Sequence, residues 1–321
     1  MAGEFDLIAN YFNWPNEADS VHLGVGDDAA VLNVTPDHQL VISVDTLVAG
    51  VHYPHSTSPE DIGYKSLIVN LSDIAAMGAE PKWFTLALTL PDYDSEWLTG
   101  FSAGLKQAAT DYGVSLIGGD TTRGAQTISI QIMGEVATGK ALKRSAAQVG
   151  DSLYITNTLG DAAAGLQIHQ ANQASESLGQ LSASEAYCVA RLNRPTARVI
   201  ESRVIRKYAN ACMDISDGLL QDLSHILQAS KLGAVIDTAA IRLSPELASL
   251  YSRKQGLQFA LGGGDDYELL FSVSQEKRKE FEHEMLGKGL DFQLIGKLVA
   301  ITNDIRDQNG NLLKALGFQH F

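Results

Sequence analysis

The feature that most constrains this chain is a set of carboxylates placed at strand or loop ends beside small residues: Asp27, Asp28, Asp45, Asp73, Asp120, Asp214, Asp217, Asp265 and Asp266. Taken singly, each has a plain explanation. Asp beside Gly is a common turn residue, and Asp217, ahead of Gly218-Leu219-Leu220, reads as a helix N-cap. Gathered together without cations, such carboxylates would repel one another and raise one another's pKa. Loop-end aspartates flanked by Gly and Ser also let backbone and carboxylate approach a ligand closely. Mg²⁺ takes a few carboxylate oxygens together with water and phosphate oxygens rather than a full protein cage. The set therefore implies two or more divalent ions bridging a polyphosphate.

The rest of the chain supplies an α/β frame for these residues. Residues 4–12 carry helical spacing, with Phe5, Ile8 and Phe12 on one side. A strand is predicted over 29–34, after the loop Gly24-Val25-Gly26-Asp27-Asp28, and another over 39–44, ending in Asp45-Thr46. The spacing predicts a helix over 59–77, with Leu67, Leu71 and Ile74 on one face and Ser66, Asn70 and Asp73 on another. A strand over 83–90, a helix over 95–112, a strand over 114–117 ending in Gly118-Gly119-Asp120, and a strand over 127–136 follow. Lys143-Arg144-Ser145 and Gly150-Asp151 read as a hinge into a second half that also mixes strands and helices, at 152–156, 195–208, 219–229, 267–273 and 275–286. The Gln- and Ser-rich stretch 171–184 reads as a surface excursion. The expected domains are 1–140 and 141–321.

At 321 residues the chain is long enough for about two domains, and 45% hydrophobic with 19% charged residues is the balance of a globular protein. A formal net charge of −14 and the absence of a basic run argue against a nucleic-acid partner. Cys188 and Cys212 form no CxxC pair and no zinc spacing, as expected of buried thiols in a reducing cytoplasm. Neither a secretory leader nor a transmembrane run is legible, so a cytoplasmic protein with no membrane partner is expected.

Two phosphate-loop patterns fail on context. Gly24-Val25-Gly26-Asp27-Asp28-Ala29 satisfies G-x-G-x-x-A, but a strand-like run follows it, and two carboxylates would stand beside the pyrophosphate. Gly134-Glu135-Val136-Ala137-Thr138-Gly139-Lys140-Ala141 lacks the hydroxyl residue that ends a Walker A loop, and no long helix follows. Any ATP site in this chain uses another architecture.

Several segments, in order, resemble the thiamine-monophosphate kinase family: Gly26-Asp27-Asp28-Ala29, Ser43-Val44-Asp45-Thr46-Leu47, Asn70-Leu71-Ser72-Asp73-Ile74-Ala75-Ala76-Met77-Gly78-Ala79, Gly118-Gly119-Asp120-Thr121, Asp214-Ile215-Ser216-Asp217-Gly218-Leu219 and Asp266-Tyr267-Glu268-Leu269. The resemblance runs from the N-terminal helix to Gly317-Phe318-Gln319-His320-Phe321. It implies a two-domain α/β (α+β) synthetase-like fold, with a mixed N-terminal sheet that pairs in a homodimer and ATP in a cleft completed by the C-terminal domain. It implies Asp28, Ser43, Asp45, Asp73, Asp120, Asp214 and Asp217 as Mg²⁺ ligands, with Asp45, Asp120 and Asp217 closest to the chemistry. Tyr112, Gly119, Asp120, Arg144 and Ser216 are implied at the nucleotide, and His52, Asp265 and Phe318 at thiamine monophosphate. Two positions depart from the family pattern: Asp265 stands where Glu is usual, and Phe318 where Trp or Tyr is common.

The implied reaction is direct transfer of the ATP γ-phosphoryl group to thiamine monophosphate. An attacking phosphate oxygen is already ionised near neutrality and needs no strong base, in keeping with the lack of a Ser-His-Asp pattern. The plain readings of the remaining residues are a surface role for His52 and Arg144, packing for Trp14, Trp83 and Trp97, and a solvated face for Lys65. Selenophosphate synthesis is disfavoured because no cysteine lies near the N-terminus. A non-catalytic sensor of thiamine phosphates is disfavoured by the intact carboxylate set.

Overall fold

Strict alternation along one long strand sets the architecture of the first half. In the computed structural model, which describes residues 4–14, 18–174, 180–301 and 303–314, the chain divides into two units. One is drawn from Met1–Ile74 and Ala79–Lys140, the other from Ala75–Gly78 and Ala141–Phe321.

The first unit contains α1 (Glu4–Tyr11), a short antiparallel pair β1 (Val21–Leu23) and β2 (Val31–Leu32), then β3 (His38–Val48), α2 (Pro59–Ala76), β4 (Glu80–Leu90), α3 (Ser95–Tyr112), β5 (Ser115–Arg123) and β6 (Thr127–Ala137). Its four-stranded sheet has the order β3-β6-β4-β5, with β4 and β5 parallel and the other pairs antiparallel. Because side chains alternate, Ser43, Asp45 and Leu47 pair with Ile132, Ile130 and Ile128 on the buried face. Leu40, Ile42 and Val44 point the other way and are exposed.

Glycine sets the helix layer. A Cβ on Gly104 would lie 1.8 Å from the Glu60 carbonyl oxygen, and one on Gly63 2.1 Å from that of Phe101, so α2 and α3 approach at backbone distance. α3 begins with Asp94 accepting the N–H groups of Glu96 and Trp97, and ends on left-handed Gly113.

Two strands run further than their sequence pattern suggests. β3 continues through Asp45 and Thr46 to Val48, and β5 continues through Gly118-Gly119-Asp120 to Arg123. Asp45 and Asp120 are therefore strand residues rather than strand-end residues. Pairing with β6 and β4 outweighs the turn preference of Asp and Gly. Conversely, the strand expected over 29–34 shrinks to Val31–Leu32.

The second unit opens with a single 3₁₀ turn (Arg144–Ala146) and contains β7 (Ser152–Thr156), α4 (Asp161–Ala174), α5 (Ala183–Asn193), α6 (Val199–Tyr208), β8 (Ala209–Ile215), α7 (Leu219–Ser230), β9 (Gly233–Ile236), α8 (Pro245–Leu250), α9 (Arg253–Gly262), β10 (Glu268–Val273), α10 (Arg278–Gly287), β11 (Phe292–Val299) and β12 (Ile305–Asp307). The sheet order is β12-β9-β11-β7-β10-β8, antiparallel except for β12 with β9. Every residue of β7 and β10 is buried, as in strands covered on both faces. One cluster of that core is aromatic, with Tyr154 stacked on Phe271 at 5.5 Å and Phe281 edge-on to both. The stretch 171–184 is helical at both ends, since α4 reaches Ala174 and α5 starts at Ala183 behind a Ser182–Glu185 capping box.

Beneath this sheet lies a buried ion cluster. Glu268 receives Arg198 through both oxygens (2.6 and 2.5 Å), Arg191 at 2.9 Å and the Thr156 hydroxyl at 2.6 Å. Among the described residues no helix is long and apolar enough to cross a membrane.

Candidate functional site

The first unit carries two groups of the expected residues. In one, β3 faces α2. The Ser43 hydroxyl donates to Asp73 Oδ2, and the Asp45 N–H donates to Asn70 Oδ1 at 3.1 Å. Asn70 is aimed in turn by its own amide, which donates to the Ser66 carbonyl one helical turn back at 2.9 Å. Helical periodicity supplies Ser66, Asn70 and Asp73 from one face of α2, and strand periodicity supplies Ser43 and Asp45 from one face of β3. Burial pushes the Asp45 carboxyl up to about 7, and the neighbouring Asp73 carboxylate adds to the shift. These are hard oxygen donors crowded together, an arrangement that a divalent cation suits.

The other group lines a cavity of about 370 Å³. Ile8, Phe12, Leu86 and Leu116 give it an apolar wall, while Asp27, Asp28, Gly118, Gly119, Asp120 and Thr121 give it polar ones. Asp27 accepts the N–H of Asp28 at 2.8 Å, after Gly26 has turned the chain at φ +119. A Cβ on Gly119 would lie 1.9 Å from the Leu86 carbonyl oxygen, so only glycine lets β5 sit this close to β4 and present Asp120 at the cavity. An apolar slot bordered by carboxylates suits a flat base carried on a metal-complexed phosphate chain.

The other expected residues of this unit lie on its helix ends and loops. Tyr112 ends α3. His52 follows β3, and its Nδ1 accepts the Val48 N–H at 3.0 Å. Lys65 corrects the expectation of a solvated face: it is 2% exposed, and its ammonium donates to the His52 carbonyl at 3.4 Å. Of the tryptophans, Trp83 is fully buried and Trp97 stacks on Phe101 at 4.9 Å, both packing roles.

In the second unit Asp214 is a buried residue of β8, paired with Leu269 of β10. Ser216 and Asp217 follow in the loop leading to α7. Asp217 is not the cap of that helix: Gly218 is, at φ +119. A residue the sequence pattern did not single out, Asp222, reaches back from the first turn to bind the loop ahead of the helix. Its Oδ2 accepts the N–H groups of Ser216, Asp217 and Gly218, each at 3.1 Å. Burial raises the Asp222 carboxyl to about 7 even though these N–H groups pull it down. As an acid in a helix's first turn, Asp222 looks in sequence like ordinary dipole compensation.

Asp265 adopts φ +67 and Tyr267 φ +51, a strained turn for two non-glycine residues. The turn is held because their N–H groups donate to the Ser216 and Ile215 carbonyls, both at 2.9 Å. The Tyr267 hydroxyl donates to Asp265 Oδ1 at 3.1 Å and orients it. Between them Asp266 is buried, with one oxygen bonded to the Gly160 N–H at 2.8 Å and the other without a hydrogen-bond partner. Desolvation drives its pKa well above the ordinary carboxylate value. Arg144 is exposed in the 3₁₀ turn. Phe318 lies outside the described residues. Among the described residues no three of His, Cys, Asp and Glu form a ready-made metal cage.

Comparison with known proteins decides between the readings that this geometry allows. Residues 26–136 match the AIR synthase related protein N-terminal domain, and residues 148–305 match the corresponding C-terminal domain. The thiamine-monophosphate kinase of Escherichia coli (strain K12) is 44% identical over 99% of this chain and 98% of its own length. The chain belongs to the thiamine-monophosphate kinase family. Among solved structures, thiamine-monophosphate kinase from Stenotrophomonas maltophilia K279a superposes with a TM-score of 0.86 at 41% identity, covering 92% of this chain and 93% of that one. AaThiL complexed with AMPPCP and TMP superposes at 0.79 with 34% identity, covering 92% of each. The N-terminal carboxylates and the Asp-Ile-Ser-Asp-Gly loop fall within the two matched segments.

Proposed function

We propose that this chain phosphorylates thiamine monophosphate with ATP, giving thiamine diphosphate and ADP, and that it does so in the cytoplasm as a homodimer. The observation that carries the reading is the pairing of crowded carboxylates with an apolar, carboxylate-rimmed cavity in the first unit of a chain 44% identical to a thiamine-monophosphate kinase.

An oxygen of the thiamine monophosphate phosphate forms the new P–O bond to the γ-phosphorus, while the bond from that phosphorus to the β–γ bridging oxygen breaks and ADP leaves. Both partners are anions, so the barrier is one of charge and alignment. Asp28, Ser43, Asp45, Asp73 and Asp120 in the first unit, and Asp214 and Asp217 in the second, are the residues that would hold Mg²⁺. When bound, Mg²⁺ supplies charge neutralisation along the phosphate chain. The apolar wall of the cavity binds the base, and Gly119 and Asp120 lie beside the sugar and phosphates. Tyr112, Arg144 and Ser216 assist at the nucleotide, and His52, Asp265 and Phe318 contact thiamine monophosphate. Alignment of this kind can contribute about 7–11 kcal/mol in favourable cases.

Incubation with ATP, Mg²⁺ and thiamine monophosphate, following ADP and thiamine diphosphate separately, is the test. Equal amounts of the two products are expected. ADP without thiamine diphosphate would remove the assignment. No phosphoenzyme should accumulate with labelled ATP, and label trapped on Asp or His would replace direct transfer with a two-step route.

A further inference from the structure

We infer that Asp222 is the positioning residue of the loop that carries Asp214, Ser216 and Asp217, and that it sets the affinity of that loop for divalent cations. The inference rests on the reading that Asp214 and Asp217 hold a cation. The geometry is specific. One oxygen of a side chain only 2% exposed accepts three successive backbone N–H groups, those of Ser216, Asp217 and Gly218. Three amides converging on one point fix the backbone of the loop, and with it the directions in which the Ser216 and Asp217 side chains leave the chain. Only the Gly218 N–H belongs to the terminus of the helix, so serving the helix does not account for the bonds from Ser216 and Asp217.

The loop is gripped from its other side as well. The Ser216 carbonyl accepts the N–H of Asp265, and the Ile215 carbonyl accepts that of Tyr267, both at 2.9 Å. A Cβ on Gly264 would lie 2.4 Å from the Ser216 carbonyl oxygen, so the opposing segment is already at closest approach. Ser216 is thus held by its N–H from Asp222 and by its carbonyl from Asp265, leaving its backbone almost no freedom. Without the Asp222 carboxylate, three N–H groups lose their acceptor and the loop must move to rehydrate them. Its carboxylates would then meet a cation only after paying an ordering cost, and the cation would bind more weakly.

The test compares wild type, Asp222→Ala and Asp222→Asn, with Asp214→Asn marking which class of bound Mn²⁺ belongs to this loop. Mn²⁺ binding is read by electron paramagnetic resonance, and Mg²⁺ dependence by turnover. Asp222→Ala should weaken the marked Mn²⁺ class at least about tenfold and raise the Mg²⁺ midpoint by a similar factor. The KM for thiamine monophosphate at saturating Mg²⁺ should change by less than about threefold. Asp222→Asn keeps an acceptor oxygen at the same reach and should stay within about threefold of wild type in Mn²⁺ affinity. Unchanged Mn²⁺ binding in a folded Asp222→Ala protein would overturn the inference, and so would an Asn variant as impaired as the Ala one. If Asp222→Ala does not fold, amide exchange in Asp222→Asn decides: protected amides at 216–218 support the clasp, and fast exchange there refutes it. Absence of thiamine diphosphate from the wild type would instead remove the kinase reading and leave the Mn²⁺ result standing.

Discussion

Asp45 shows what a single residue can reveal here and what it hides. In sequence it is a carboxylate at a predicted strand end; in the structure it lies within β3, its N–H bonded to Asn70 and its carboxyl raised to about 7 by burial and by Asp73. A side chain this costly to ionise in a bare protein has value only with a counter-charge, so Asp45→Asn should leave the fold intact. Its turnover should fall by about 10³-fold or more, as when a group stabilising transition-state charge is lost. Asp120→Asn should behave alike; near-normal activity in either, with an unchanged circular dichroism spectrum, would mean the ligand assignment is wrong. Asp266 makes a different point. Its folded pKa is raised above the ordinary value of about 3.9. The native state therefore holds a proton that the unfolded chain releases, and this stabilisation is complete below about pH 3.9 and lost as pH rises through the folded value. Asp266→Asn should consequently gain melting temperature relative to wild type as pH rises above about 3.9; parallel curves would show that Asp266 is ionised at no cost. Loop carboxylates were legible as a set because Gly and Ser flank them. Asp222 and the Glu268 ion cluster were not, because a buried acid on a helix or strand has the same sequence appearance as an exposed one.

At the scale of elements, the first unit was readable where a period was clean. Helix α3 occupies 95–112 as its spacing indicates, and β4 and β6 extend their predicted runs by three residues and one respectively. The ends of β3 and β5 were misread because Asp and Gly were given their turn meaning, whereas neighbouring strands pair with them. In the second unit β7 and β10 are buried on both faces and lose the alternation that identifies a strand. Their segments, 152–156 and 267–273, were nevertheless expected as elements, whereas β8, β9, β11 and β12 emerged only from the structure. Close packing of α2 against α3 gives a test at this scale. Gly104→Ala would place a methyl 1.8 Å from the Glu60 carbonyl oxygen. Backbone cannot give way as a side chain can, so a loss of about 1–3 kcal/mol is expected by urea unfolding. Gly113→Ala tests a different cost, since nothing lies within 4 Å of its added Cβ but φ is +65. It should cost only about 1 kcal/mol, the penalty of a left-handed conformation. Equal losses at the two positions would mean that the α2–α3 approach is looser than the structure has it.

For the whole molecule, the proposed assembly and the proposed chemistry meet on one strand. β3 is an edge strand, and its outward residues Leu40, Ile42 and Val44 are 44%, 53% and 61% exposed. Three apolar side chains in a row on the exposed face of an edge strand form a patch that association would cover. The expected state is therefore a dimer of about twice 34.5 kDa in sedimentation, joined through the open face of this sheet. Ile42→Glu places a charge in the middle of that face and should yield a monomer. The alternation that exposes Ile42 and Val44 sends Ser43 and Asp45 to the opposite face, toward Asp73 and Asn70. Fixing β3 from outside thus fixes the position of its carboxylate inside. The Ile42→Glu monomer should accordingly need several-fold more Mg²⁺ for half-maximal turnover while keeping its far-ultraviolet spectrum. A wild-type chain that sediments at 34.5 kDa would refute the assembly. A monomeric variant with an unaltered Mg²⁺ requirement would refute only the link between the two faces of the strand.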